Sequence, residues 1–198
     1  MKHWITIGLV CLGTSIQDIA VAEPAPGSAA AALAVLAGSG RLEPNERVLG
    51  MVGFFGQPRP SRWLVLTDAA VEGGPLRELA VSGENVSAER KVAALPGQDL
   101  PDIPLERPDL KVDSDEVFRI VDGLARARGV RFESMHFQLR CRELAREPVW
   151  MLNLIGSGQV SVGVVYLSAI TGEVLRTAWV DMPVTKFASP PSAEDPSR

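Results

Sequence analysis

Cysteine and histidine are nearly absent: the 198 residues hold two of each, Cys11 and Cys141, His3 and His136. Cys11 and His3 belong to an N-terminal stretch that reads as a removable export signal, so the exported chain keeps one cysteine and one histidine. One cysteine excludes an intramolecular disulfide and a cysteine-rich zinc site, and one histidine excludes a multi-histidine metal site. An excess of basic residues is missing as well. A net charge of −4 and a pI near 5.3 give no electrostatic reason to expect nucleic acid or an anionic membrane as partner. The N-terminal apolar run, Trp4–Gly13, is ten residues long, half of the ~20 that a hydrocarbon core requires. No stable membrane insertion is therefore expected once it is removed. Neither a Gly-x-Ser-x-Gly elbow nor a His-Glu-x-x-His motif occurs. A serine nucleophile would need a base and an orienting group, and the one histidine kept, His136, falls on the exposed face of an expected strand with no such elbow to serve. The expectation is a protein that is not an enzyme, with no catalytic residues, no cofactor and no metal.

What is present begins with export. Lys2 and His3 precede the apolar run, and Ala20-Val21-Ala22 before Glu23-Pro24 matches a signal with cleavage after Ala22. Residues 1–22 read as that signal, and the localisation expected is periplasmic or extracellular. Residues 23–95 read as a first unit. It holds a short helix over 28–37 capped by Ser28, then a second short helix after Pro44 on which Val48, Leu49 and Val52 share a stripe. Strands follow at 62–67, 76–81 and 86–92, the last two joined by Ser82-Gly83-Glu84-Asn85. Residues 96–110 carry four prolines and read as an extended connection.

Residues 111–182 read as a second unit. Asp113, with Glu116 three residues on, has the spacing of a capping box, and Gly129 closes the helix that follows. Met135, Phe137, Leu139 and Cys141 alternate with His136, Gln138, Arg140 and Arg142, the period of a half-buried strand, with a bend expected near Ser134. Cys141 falls on the apolar face and reads as a small buried hydrophobe. Strands at 149–155, 159–168 and 173–180 complete the unit, with Gly156-Ser157-Gly158 as a turn between strands and not a phosphate loop. Residues 183–198 are rich in Pro, Ser and Ala and read as a disordered tail.

The halves share Pro60-x-x-Trp63-Leu-Val-Leu with Pro148-Val-Trp150-Met-Leu-Asn-Leu, and Ser82-Gly83-Glu84 with Thr171-Gly172-Glu173. This internal repeat leads to an α+β fold class: two small units, each a helix packed on its own antiparallel β-sheet. On Asp113-Ser114, Pro148-Val149-Trp150 and the closing Ala169-Ile170-Thr171-Gly172-Glu173-Val174-Leu175, the second unit resembles the PepSY domain family, and the first is PepSY-like. The family commonly has Asp where this chain has Ser168. The resemblance implies a non-enzymatic binding or regulatory module of the bacterial envelope. It also implies the alternative of an inhibitor or chaperone of a separate secreted metallopeptidase, since such domains occur in the propeptides of thermolysin-type enzymes. A cleft between helix and sheet leaves a third reading, a small-molecule or lipid carrier. The exposed interaction face expected is His136, Gln138, Arg140 and Arg142, toward another envelope or secreted protein.

Overall fold

A computed structural model describes residues 27–69, 75–93, 100–105, 110–142 and 147–180. The signal with its cleavage after Ala22 and the tail from 183 lie outside these residues. The elements are α1 (Ala29–Gly38), β1 (Glu46–Gly56), β2 (Trp63–Ala69), β3 (Leu76–Ser82), β4 (Asn85–Val92), α2 (Ser114–Ala127), β5 (Ser134–Cys141), β6 (Pro148–Ile155), β7 (Ser161–Ser168) and β8 (Val174–Trp179).

Helix followed by four strands thus occurs twice, but the expected pair of separate helix-on-sheet units is not what forms. All eight strands join in one antiparallel sheet of order β4-β3-β2-β1-β5-β6-β7-β8. The reason is β1. The stretch expected as a second short helix is an 11-residue strand that pairs with β2 on one side and β5 on the other. Its content explains the outcome: Val48, Val52, Phe54 and Phe55 favour a pleated surface, while Gly50, Gly53 and Gly56 weaken a helix. Gly50 also permits the close approach to β5, because a Cβ there would lie 2.9 Å from the carbonyl oxygen of Leu139.

The two halves are related by an approximate dyad through the pair Val52↔Gln138. On either side of it Gly53 pairs with Phe137 and Met51 with Leu139. Trp63 pairs with Val81 and Val65 with Leu79 in one half, and Trp150 pairs with Leu167 and Leu152 with Val165 in the other. These residues share one face, since directly paired residues point to the same side. The helices cover that face, and its side chains form a single buried cluster with Leu33 and Leu36 of α1 and Val117 and Val121 of α2. At its centre the rings of Trp63, Phe137 and Trp150 stand 5.7–6.3 Å apart.

Each tryptophan also anchors its own helix. The Trp63 indole N–H donates to the Gly27 carbonyl at 3.0 Å, and that of Trp150 donates to the Val112 carbonyl at 2.9 Å. Both carbonyls immediately precede the N-cap residues, Ser28 and Asp113. The described part of the proline-rich connection, residues 100–105, is tied to the sheet as well. Leu105 N–H donates to the Val48 carbonyl at 2.8 Å, beside the irregularity where β1 steps out of register with β2.

Candidate interaction face

The face of the sheet away from the helices carries the residues singled out in β5. Reading across the ladders, one row runs Ala88, Ala80, Leu64, Val52, Gln138, Met151, Tyr166, Arg176. Gln138 lies at its centre. Arg140 occupies the next row between Gly50 and Val149, and His136 lies opposite Asn153. Arg142 is exposed just past the end of the strand, its backbone N–H donating to the Glu147 carbonyl at 3.0 Å. The structure therefore brings His136, Gln138 and Arg140 onto one face and leaves Arg142 at its margin. The three are half-buried.

Two residues absent from the expected set dominate this face. Phe54 and Phe55 are 45% and 51% exposed. They sit where β1 slips against β5, with Gly53 opposite Phe137 and Gly56 opposite Met135, so β1 carries one residue more than its partner. Both flanking glycines are required by crowding: a Cβ would lie 2.5 Å from Pro60 Cγ at Gly53 and 2.6 Å from Phe137 Cε2 at Gly56. Phe55 itself takes φ of +53°, a left-handed conformation that a bulky residue rarely adopts. The two rings meet the imidazole of His136 edge-on, with centroids 5.2 and 4.5 Å away. Among the described residues His136 Nε2 has no hydrogen-bond partner although the atom is buried. Burial lowers the His136 pKa, so the ring is neutral at neutral pH and behaves as a third aromatic plate. The cue for this cluster was in Gly53-Phe54-Phe55-Gly56, two aromatics between glycines, which reading the stretch as a helix end obscured.

The acidic cluster is occupied by structural partners. Asp113 Oδ1 accepts the N–H of Ser114 at 2.7 Å and that of Ala30 at 3.0 Å, so one carboxylate serves the N-termini of both helices. Asp115 pairs with Arg59, and Glu116 pairs with Arg119 rather than reaching back as a capping box would. Among the described residues no group of three or more His, Cys, Asp or Glu is placed to hold a metal ion. Cys141 is 7% exposed, on the helix-covered face, and its thiol donates to the Pro104 carbonyl. Gly156-Ser157-Gly158 joins β6 to β7 through a single 3₁₀ turn, with Gly158 at φ of +70°. Ser168 Oγ accepts the N–H groups of Ile170 and Thr171, each at 3.2 Å, and donates to Glu147 at 2.8 Å. A serine thereby closes the turn that an aspartate would close by the same geometry. No described helix is long and apolar enough to cross a membrane. Comparison with protein-family models finds none that matches the chain, and comparison with curated proteins finds no significant relative.

Proposed function

We propose that this chain is an exported, non-enzymatic, PepSY-like module that binds another protein outside the cytoplasm through the helix-free face of its sheet. One observation carries the reading: a bulge on a central strand holds Phe54 and Phe55 outward against a neutral His136. Exposed aromatics of this kind are typical anchors of protein interfaces, where a few rigid rings supply most of the binding energy. The apolar row Leu64, Val52, Met151 and Tyr166 extends the patch across the sheet, and Gln138 and Arg140 add polar contacts at its centre. Export is supported by the N-terminal pattern of charge, apolar run and Ala-x-Ala. The PepSY reading is supported by the tasks found for its signature residues. Trp150 ties helix to sheet, and Thr171-Gly172 makes the last reversal with Gly172 at φ of +75°.

The test compares purified wild-type protein with a Phe54→Ser/Phe55→Ser variant as bait for envelope extract. The expected result is a stoichiometric partner retained by the wild type and lost by the variant, with both melting at similar temperatures. Equal capture by the two baits would overturn the assignment of the face.

A further inference from the structure

The approximate dyad makes position-by-position comparison possible at the far end of each half, and there the two copies differ in kind. Matching Trp63 with Trp150 places Thr67, Arg77 and Lys91, which lie side by side, in correspondence with Leu154, Gly163 and Trp179. In the first half that end is sealed by charge. Arg77 binds Glu46 and Glu89, Thr67 donates to Glu46, and the Glu46 side chain is 2% exposed. In the second half the arginine is replaced by glycine, and the Trp179 ring occupies the vacated space. A Cβ on Gly163 would lie 2.6 Å from Trp179 Cε3.

Among the described residues no ion pair seals this side, and a cleft of about 940 Å³ opens between the end of α2 and the β6–β7 turn. Phe132, Val162 and Trp179 give it apolar walls, and Arg128, Arg131 and Glu133 line its polar part. The Arg128 guanidinium stands 5.7 Å from the centroid of the Trp179 ring. Other arginines of the same helix are paired, Arg119 with Glu116 and Arg126 with Asp122. Arg128 and Arg131 form no ion pair among the described residues, which leaves two cations against the single carboxylate of Glu133. The helix C-terminus is the negative pole of its dipole, a partial charge smaller than that of either arginine, and part of it is already taken up within the chain. The N–H groups of Arg128, Gly129 and Val130 already satisfy the carbonyls of Leu124, Ala125 and Arg126.

We infer that this cleft is a binding site for a small organic anion, a carboxylate carried on a flat apolar body. The size lies within the usual range for small-molecule sites, about 300–1,000 Å³. The indole and phenyl walls take up the body, while a guanidinium already lying against an aromatic ring presents its N–H groups to a carboxylate in the planar geometry that guanidinium favours. None of these residues belongs to the helix-free face, so the inference stands or falls independently of the protein-binding role.

The experiment titrates the purified protein with 2-naphthoate, following heat by calorimetry and the Trp179 indole N–H by NMR, assigned with Trp179→Phe. Saturable one-to-one binding that moves the Trp179 signal is expected. The neutral isostere 2-naphthalenemethanol is expected to bind about tenfold more weakly, the scale of one charge-assisted contact. Cationic 2-naphthylmethylammonium should not bind. The exposed-site variant Arg128→Gln/Arg131→Gln should lose at least about tenfold for naphthoate and nothing for the alcohol. Two results overturn the inference. One is no saturable naphthoate binding. The other is equal affinity for all three probes in both proteins.

Discussion

The outermost strands, β4 and β8, occupy equivalent places at opposite edges of the sheet and are built on opposite principles. β4 carries Glu89, Arg90 and Lys91 on an exposed ribbon, with Arg90 paired to Glu78 and Glu89 to Arg77 across the ladder. Charges on an edge discourage the addition of further strands. β8 reads Val-Leu-Arg-Thr-Ala-Trp, with Leu175 38% exposed and Trp179 turned onto Gly163. The centre of the molecule tells the reverse story: Trp63 and Trp150 do the same job in each copy, down to the carbonyl that receives the indole N–H. Packing against a shared core holds the two halves alike. Where packing constraints relax, toward the rims, one copy is closed by ion pairs and the other opens into a cleft beside an aromatic ring.

The sharpest way to break this comparison is at the tryptophans. Trp63→Ala and Trp150→Ala should each cost about 4 kcal/mol, the range for emptying a large buried aromatic site. Because both rings lie in one core, each variant should still unfold in a single urea transition. Two separated transitions, with only the mutated half shifted, would mean that the halves are energetically independent. The rims come next. Glu46→Ala should cost about 3 kcal/mol by stranding Arg77 with Glu89 as its remaining partner, and Glu46→Leu/Arg77→Leu should recover most of it. Gly163→Ala should cost about 2 kcal/mol by displacing the Trp179 ring. If the charged rim proved insensitive and the glycine did not, closure would be governed by shape in both halves.

The smallest effect belongs to His136. Burial lowers its folded-state pKa below the value near 6.5 of the unfolded chain, so below that pH the unfolded state binds more protons and stability falls with pH. The contribution is complete above the unfolded pKa and is lost progressively as pH drops toward the folded value. Melting temperature should therefore decline from pH 7 to pH 5, and His136→Gln should flatten that slope. An unchanged slope would assign it to other groups.

Much of this organisation was legible in the sequence. The strong periodicities of 117–125 and 135–141 produced α2 and β5, and Trp63 with Trp150 announced the repeat. What failed was the stretch 46–56. Val48, Leu49 and Val52 fit a helical stripe, and nothing local reveals that strands on both sides will claim their backbone groups. That single misreading divided one sheet into two units, because the strand that fuses the halves was missing from the reading. The aromatic pair was lost with it, since a bulge is defined by the partner strand. That His136, Gln138 and Arg140 share one face of a strand was legible because alternation is a local signal. Asp113 was seen as a cap, yet its second client lies 83 residues away.

That second client has a consequence for the order in which the molecule can be made. The first N–H groups of α1, at Ala29 and Ala30, are satisfied by Ser114 and Asp113, and β1 gains its second neighbour only when β5 arrives. A chain emerging from its N-terminus therefore holds an incompletely capped helix and a central strand with one open edge until well over half its length has appeared. Closing contacts so distant in sequence is slow, and an exposed strand edge invites mispairing meanwhile. The carboxylate of Asp113 thus acts as a completion signal, locking the first described helix only after the segment carrying Asp113 is in place.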